Sequence, residues 1–265
     1  AAVARYERDA ARLGVVKFVP ASGAATRMFK ELFEFVNEGR RGKGVDTLLE
    51  HLEEFAFWPE LRAVLPAGAD DRAKVDAIVN DGLEYGRKPK GLVTFHAYPE
   101  GSRKAVEEHL AEGAAYAASG GGVRIHFTVS PEHMAGFEEL LAERVPLYEK
   151  RFGVRYDISF SVQKPSTDTI AVNPDNTPFR QEDGSLLFRP AGHGALIENL
   201  NEIDADVVFI KNIDNVVPDK LKADTVTYKK LIAGVLVSLQ KKAFEYLELL
   251  DSGKYTHEQI MEILQ

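Results

Sequence analysis

Short apolar runs that end in Gly or Pro alternate along this chain with longer segments of helical periodicity, and this alternation restricts the possible folds more than any other feature. Residues 15–19 form one such run, closed by Pro20 and Gly23. The run predicts a buried strand that ends in a tight loop. Residues 123–129 and 207–210 predict further strands. Strands that alternate with helices favour an α/β fold whose largely parallel sheet is covered on both faces and binds ligands at the carboxyl ends of its strands.

A long helical stretch interrupts this alternation between residues 26 and 86, where apolar residues recur at helical spacings. We interpret residues 29–87, approximately, as a helical insertion in a single domain that spans residues 1–265. The remaining elements follow the same rules: helices are predicted for residues 101–119 and 226–250, and strands for residues 92–95, 158–162 and 169–172.

Composition excludes several classes of protein. The formal net charge of −8 disfavours nucleic acid and anionic membrane as partners, because both would repel such a surface. The chain contains no cysteine, which excludes a disulfide scaffold and any thiolate metal site and makes the cytoplasm the expected compartment. No apolar stretch approaches the roughly 20 residues that a membrane span requires.

The segment VPASGAATRMFK, residues 19–30, connects the first predicted strand to the following helix. Its small residues, Ser22, Gly23, Ala24, Ala25 and Thr26, would let backbone N–H groups approach a phosphate at a helix N-terminus. In addition, Arg27 could bind two phosphate oxygens through its planar guanidinium. The segment therefore predicts a triphosphate-binding loop, with an ordinary strand-to-helix turn as the alternative; it lacks the Gly-Lys-Ser/Thr ending of a P-loop.

A second segment, RPAGHG at residues 189–194, interrupts an apolar stretch before a helix predicted from Ala195. Gly192 and Gly194 flank His193, and glycines permit positive φ and the close approach of a flat ring. The segment predicts contact with a nucleobase or sugar. A plain turn is the alternative interpretation.

A third segment, DVVFIKNIDNVVPD at residues 206–219, joins a β-branched strand to a polar cluster that contains Asn212, Asp214 and Asn215. A carboxylate at the end of a buried parallel strand can bind Mg²⁺, which takes few protein ligands and bridges substrate phosphates. Asp214 is therefore the candidate metal ligand. Alternatively, Asp214 and Asn215 only form a tight turn.

Taken in this order, the three segments resemble the UDP-sugar pyrophosphorylases, which belong to the glycosyltransferase-A-like nucleotidyltransferases. ASGAATRM is similar to their phosphate loop, RPAGHG to their nucleoside-binding loop and KNIDNVVPD to their metal-binding strand end. KPKG at residues 88–91 and SVQ at residues 161–163 resemble two further elements of that family. The similarity is closer still to an uncharacterised bacterial branch in which KPKGL, FTVSPEH, STDTIAV and GHGALIENL recur, and it extends from about Val15 to Asp219.

The resemblance implies a three-layer α/β/α, Rossmann-like, mostly parallel mixed sheet of the nucleotide-diphospho-sugar transferase type. It also implies Mg²⁺-dependent formation of a UDP-sugar and pyrophosphate from UTP and a sugar 1-phosphate. The family's carboxyl-terminal sugar-binding part is expected to be absent from this chain. The implied roles are phosphate binding by Arg27, Lys90 and loop 22–26, nucleoside binding by Gln163 and residues 192–194, and Mg²⁺ binding by Asp214 beside Asn212.

Two departures from the family pattern define further expectations. Ser22 and Ala25 replace two glycines of the phosphate loop. Lys90 follows Arg27 by about sixty residues, so the helical insertion must loop out if Lys90 is the substrate-phosphate lysine. Lys30 is the competing candidate for that role.

Two alternative functions accompany this hypothesis. A metal-dependent glycosyltransferase would need a D-x-D motif, and Asp204-Ala205-Asp206 is expected to precede its strand. A non-catalytic nucleotide-sugar-binding protein is the other alternative. The six remaining histidines are interpreted as structural or surface groups, and several charged pairs as solvated helix faces: Lys229-Lys230, Lys241-Lys242, Glu107-Glu108 and Glu138-Glu139.

Overall fold

The computed structural model describes residues 1–23, 25–26 and 28–264, apart from the His193 side chain. The strands are β1 Val15–Pro20, β2 Thr94–Tyr98, β3 Gly101–Lys104, β4 Ala118–Ser119, β5 Gly122–Thr128, β6 Arg155–Ser161, β7 Thr169–Ile170, β8 Phe188–Arg189 and β9 Val207–Ile210. The helices are α1 Ala2–Asp9, α2 Lys30–Glu38, α3 Lys43–Glu50, α4 Trp58–Val64, α5 Asp71–Val79, α6 Ala105–Tyr116, α7 Met134–Phe152, α8 Ile197–Asn201, α9 Lys222–Asp251 and α10 His257–Ile263.

The central sheet contains five strands. Four of them run parallel in the spatial order β6, β5, β1, β9, and the short β4 pairs antiparallel with the start of β5. The three strands predicted at residues 15–19, 123–129 and 207–210 are therefore neighbours in one mixed sheet. The predicted α/β class is confirmed at this level.

Side-chain alternation along the strands divides the sheet into two faces. Val19, Phe127 and Phe160 belong to the core that α6 and α7 cover, where the rings of Phe127 and Phe160 stack with centroids 6.0 Å apart. On the opposite face, Phe18 stacks on His126 with centroids 5.5 Å apart. All six residues of β1 are buried, because this strand has a parallel neighbour on each side.

The helical insertion has a hydrophobic core of its own, formed largely by α2 to α5. Ala25 belongs to this core and is fully buried. At the start of α5, Asp70 accepts a hydrogen bond from the Ala73 N–H at 2.8 Å and caps the helix. The helix expected from about Thr26 begins at Lys30 instead.

Two sequence-based predictions of secondary structure are corrected by the hairpin formed by β2 and β3. The strand predicted at residues 92–95 is Thr94–Tyr98, and it pairs with β3 rather than with the central sheet. Residues 101–104, predicted as helix, form β3. Helix α6 starts only at Ala105, where the Glu107 carboxylate accepts a hydrogen bond from the Lys104 N–H at 2.9 Å.

The strand predicted at residues 169–172 is also outside the central sheet. Thr169–Ile170 pairs with Phe188–Arg189 in a separate two-stranded ribbon. At one end of this ribbon, the flanking residues Asp168 and Pro190 line the cleft described below. Throughout the described part of the chain, no helix is long and apolar enough to cross a lipid bilayer.

Candidate functional site

A cleft of about 750 Å³ opens at the carboxyl ends of β1, β5 and β6. This edge of the sheet is where the parallel arrangement predicts ligand binding. The cleft collects residues from segments that are far apart in sequence, and six of the predicted site residues are among those that line it: Ser22, Gly23, Thr26, Lys90, Gln163 and Gly192. Its other lining residues come mainly from the loops after β5 and β6 and from one end of the ribbon.

The loop after β1 is anchored to the loop after β5. The Ala21 N–H donates to the Thr128 carbonyl at 2.8 Å, and the Ser130 hydroxyl donates to the Ser22 carbonyl at 3.2 Å. A Cβ atom added at Gly23 would meet no other atom within 4 Å. The packing of the chain therefore does not require glycine there, whereas close approach of a ligand to the backbone would.

Two other residues of this loop, Ala24 and Arg27, lie outside the described residues, so the predicted role of Arg27 stays a prediction. Ala25 points away from the cleft into the insertion core, and its N–H donates to the Lys88 carbonyl at 3.3 Å. The Ala25 amide is thereby engaged within the chain, so it is not free to bind a phosphate in this arrangement.

The chain returns from the helical insertion directly to the loop after β1. The Lys90 N–H donates to the Gly23 carbonyl at 3.2 Å, which sets Lys90 beside the loop despite their separation in sequence. The insertion therefore loops out, as the spacing required. Lys30, the competing candidate, is highly exposed, with its ammonium 3.7 Å from Glu34, and it lines a different cleft between α2 and α3.

Lys90 and Asp214 form an ion pair at the edge of the cleft. The Lys90 Nζ lies 2.6 Å from Asp214 Oδ2, and the two side chains are 25% and 37% exposed. The Asn215 N–H donates to the Asn212 carbonyl at 3.0 Å, so the predicted turn is present at the same residues. The turn does not exclude a functional role for the carboxylate, because it brings Asp214 to the position where it contacts Lys90.

Asp214 could bind Mg²⁺ at this edge of the sheet if a substrate supplied further ligands. Among the side chains that the structure describes, no three of His, Asp or Glu cluster in a way that could hold a metal ion. The Asp214 carboxylate already lies against a cation, the Lys90 ammonium. One carboxylate together with phosphate oxygens and water is a common ligand set for Mg²⁺, so Asp214 fits that role.

Gln163 and Gly192 line the far side of the cleft. The Gln163 amide donates to the Thr167 hydroxyl at 3.3 Å, which orients it after the end of β6. The freedom of glycine to adopt positive φ is not used in the Gly-His-Gly segment: Gly192 has φ −66° and Gly194 is also outside the left-handed region. A Cβ at either glycine would meet nothing within 4 Å. The predicted helix begins at Ile197 rather than Ala195, after a turn of 3-10 helix.

A buried ionic network under β1 and β9 is a feature that the sequence interpretation missed. Lys17 and Glu112 are fully buried and Lys211 is nearly so. The Lys17 ammonium lies 3.1 Å from Glu112 Oε2, the Lys211 ammonium 2.7 Å from Glu112 Oε1, and the Tyr116 hydroxyl donates to Glu112 at 3.2 Å. A lysine in the middle of the apolar run VVKFVP was the signal that could have revealed it.

Burial and charge shift the pKa values in this network in different directions. Burial lowers the pKa of Lys17 to about 7, although Glu112 opposes the shift. Burial alone would raise the pKa of Glu112, but Lys17 and Lys211 outweigh it and lower that pKa, so the carboxylate is ionised. Burial, reinforced by Lys17, holds the pKa of His109 well below its usual range. The neutral His109 ring donates from Nε2 to the Ile213 carbonyl at 3.1 Å.

A second ionic cluster joins the β2–β3 hairpin to the start of α9. Arg103 binds Asp219 through two hydrogen bonds of 2.8 Å each, and the fully buried Glu108 accepts from Tyr98 at 2.6 Å and pairs with Lys222. Burial alone would raise the pKa of Asp219, but hydrogen bonds from Arg103 and Lys222 lower it to about 2.

The interpretation of Glu107-Glu108 as a solvated helix face is therefore wrong. Both side chains are buried. Glu107 accepts from the Lys104 N–H, and Glu108 is surrounded by basic and hydroxyl groups of the hairpin and α9. Sequence periodicity could not show this, because partners from distant segments compensate the charge of these glutamates.

The Asp204-Ala205-Asp206 motif lies at the edge of the sheet opposite to the cleft. Asp206 Oδ2 accepts a hydrogen bond of 2.6 Å from the N–H of Gly14, the residue before β1. The motif thus precedes β9, as expected from the sequence, and its Asp206 ties together the amino ends of two parallel strands. This carboxylate cannot reach a ligand at the carboxyl ends.

The fold defines an α/β protein with a cleft at the carboxyl ends of its parallel strands. The chain belongs to the family described as Domain of unknown function (DUF4301), which it matches over residues 1–265. No curated protein and no solved structure matches it.

Proposed function

We propose that this protein is a nucleotidyltransferase that forms a UDP-sugar and pyrophosphate from UTP and a sugar 1-phosphate with the help of Mg²⁺. One observation carries the proposal. Five segments that are distant in sequence, and to which the resemblance assigns parts in one reaction, meet at a single cleft. The cleft is lined by loop residues Ser22 and Gly23, by Lys90 and by Gln163 and Gly192, and Lys90 reaches Asp214 at its edge.

The fold supports the finer assignment to Rossmann-like nucleotide-diphospho-sugar transferases. In sequence order, the four parallel strands are β1, β5, β6 and β9, and their spatial order reads 3-2-1-4. That order is shared by the doubly wound nucleotide-binding sheets, whose ligands bind where the order reverses. Here the reversal falls between β1 and β9, the strands that lead into loop 22–26 and Asp214.

In the proposed reaction, a phosphate oxygen of the sugar 1-phosphate attacks the α-phosphorus of UTP. The new P–O bond forms as the bond from the α-phosphorus to the bridging β-phosphate oxygen breaks, and pyrophosphate leaves with that electron pair. Such a displacement depends on positioning and charge stabilisation rather than on a covalent nucleophile. Lys90 would bind phosphate oxygens in the cleft, Arg27 and loop 22–26 the triphosphate, and Gln163 with residues 192–194 the nucleoside.

Asp214, with Asn212 beside it, would hold Mg²⁺ together with phosphate oxygens. When bound, Mg²⁺ would offset negative charge on the transferred phosphate. The glycosyltransferase alternative is less well supported, because its D-x-D motif is at the opposite edge of the sheet.

A direct assay tests the proposal. Purified protein with UTP, Mg²⁺ and a panel of sugar 1-phosphates should release pyrophosphate with at least one sugar, and the release should require all three components. Lys90→Ala and Asp214→Asn should lower the rate at least about 100-fold, as expected for lost charge stabilisation. Lys30→Ala, an exposed lysine outside the cleft, is the matched control and should retain the rate.

Three results would reject the proposal. Pyrophosphate release that is unchanged in both cleft variants would mean that the site is elsewhere. Release of UDP from a UDP-sugar, without pyrophosphate, would indicate a glycosyltransferase. Tight UTP binding by calorimetry with no turnover on any sugar phosphate would indicate a non-catalytic binding protein.

A further inference from the structure

Glu112 lies at the centre of the buried ionic network, and its carboxylate is bonded on both oxygens. Oε1 faces the Lys211 ammonium, while Oε2 faces both the Lys17 ammonium and the Tyr116 hydroxyl. An ionised group with fixed partners on each oxygen has little freedom to move. A buried ion pair is not by itself evidence of a role in stability, since apolar side chains of similar volume often pack as well.

The chain beyond β9 continues to pair with β1 next to this network. The Lys211 N–H donates to the Phe18 carbonyl at 3.1 Å, and the Ile213 N–H donates to the Pro20 carbonyl at 3.1 Å. Both of these side chains are buried, whereas Asp214 is exposed. The turn closed by the Asn215 N–H and the Asn212 carbonyl follows directly, so a slip of residues 211–213 against β1 would displace the turn that carries Asp214.

Helix α6 anchors this segment at two points. Glu112 binds the Lys211 side chain, and His109, one helical turn earlier on the same face, binds the Ile213 carbonyl. Asn212 lies between these two anchors, and the turn that contains Asp214 follows them. The anchors therefore fix the register of residues 211–213 against both β1 and α6.

We propose that Glu112 is a positioning residue that holds residues 211–213 in register with β1, so that the turn after them presents the Asp214 carboxylate to Lys90 and to Mg²⁺ bound together with the phosphates of the substrate. The functional part of this inference rests on the proposed nucleotidyltransferase activity. Glu112 itself contacts neither the cleft nor Asp214, and it acts through Lys211.

Glu112→Gln tests the proposal, with Glu107→Gln as the matched control. Both glutamates are buried on α6, but Glu107 bonds to Lys104 and Tyr148 and does not contact residues 211–214. Hydrogen exchange of the Lys211 and Ile213 amides should accelerate at least about tenfold in Glu112→Gln, while β5 amides such as that of Phe127 keep their protection. Glu107→Gln should leave the exchange of residues 211–213 unchanged.

The kinetic readout is the Mg²⁺ concentration that gives half-maximal pyrophosphate release. Glu112→Gln should raise it by about tenfold, which is typical when a residue that orients a metal ligand is lost, and should do so more than it raises the KM for the sugar phosphate. Should Glu112→Gln not fold, Lys211→Met provides the same test, because it leaves Glu112 paired with Lys17 and removes only the anchor.

Equal acceleration of exchange in β5 and in residues 211–213 would show that Glu112 only stabilises the fold and would overturn the proposal, as would unchanged exchange in both variants. If the unmodified protein releases no pyrophosphate at all, the proposed function fails, yet the exchange comparison still decides whether Glu112 holds this segment.

Discussion

The ammonium nitrogen of Lys90 lies 2.6 Å from a carboxylate oxygen of Asp214, although 124 residues separate the two in the chain. Each side chain is the counter-ion of the other, and both remain partly open to solvent. A phosphate that binds Lys90 and a cation that binds Asp214 would replace this pair with two separate interactions. The pair is thus available for exchange with a ligand, which distinguishes it from the fully buried pair of Lys17 and Glu112.

The first prediction is that the pair of Lys90 and Asp214 contributes to ligand binding but little to the stability of the fold. Partly exposed ion pairs contribute only about 0–1 kcal/mol, so Lys90→Ala and Asp214→Asn should each change the free energy of unfolding by less than about 1 kcal/mol. The same variants should abolish the stabilisation of the protein by UTP with Mg²⁺. Urea denaturation and thermal shift measure the two quantities, and a large loss of stability in either variant would indicate a structural role instead.

Gly23 and Gly192 should tolerate a larger side chain in the folded protein but not in the complex. Neither has a left-handed φ, and a Cβ at either position meets no atom within 4 Å. Gly23→Val and Gly192→Val should therefore keep the free energy of unfolding within about 1 kcal/mol, while UTP no longer raises the melting temperature.

The matched control for these variants is Gly153, which ends α7 with φ +65°. Gly153→Ala should destabilise the protein by about 1 kcal/mol because of backbone strain and leave the response to UTP intact. Stabilisation of Gly23→Val and Gly192→Val by UTP to the same extent as the unmodified protein would argue against close backbone contact with the nucleotide.

The buried Lys17 should make stability depend on pH in the alkaline range. The pKa of Lys17 is lowered to about 7 from its ordinary value of 10.5. Between these values the unfolded chain holds a proton that the folded protein has released, so this contribution to stability rises with pH, by up to about 1.4 kcal/mol per unit. Lys17→Met should remove the rise, and denaturation between pH 6 and pH 9 measures it.

Lys30→Met, at an exposed lysine, is the control for this experiment and should leave the pH dependence of the unmodified protein in place. An identical pH dependence in Lys17→Met and in the unmodified protein would show that Lys17 keeps an ordinary pKa in the fold.

Phe127 should be among the most sensitive positions of the core. It is fully buried in β5, and its ring lies 6.1 Å from that of Phe137 and 6.0 Å from that of Phe160. Phe127→Ala should lower the free energy of unfolding by about 3–5 kcal/mol through lost burial and the remaining cavity. Phe152→Ala, at a far more exposed phenylalanine of α7, should cost much less, and similar losses in both variants would contradict this view of the core.

The sequence by itself determined the α/β class and most of its main elements. Residues 207–210 were predicted as a strand and are one, and the long helix near the carboxyl terminus has nearly its predicted extent. These predictions succeed because side-chain periodicity and Gly and Pro positions act locally, within a few residues of the element that they define. Motif order also selected Lys90, Gln163 and Gly192, which line one cleft.

Which charged side chains contact one another was decided only by the tertiary structure. The burial of Lys17, Glu108 and Glu112 depends on partners from distant segments, because an ionised side chain enters the core only where opposite charges and hydrogen bonds compensate its lost hydration. The hairpin of β2 and β3, which replaces part of a predicted helix, also has distant partners. Arg103 of this hairpin contacts Asp219, which is 116 positions away in the chain. Periodicity along the chain contains no information about such contacts.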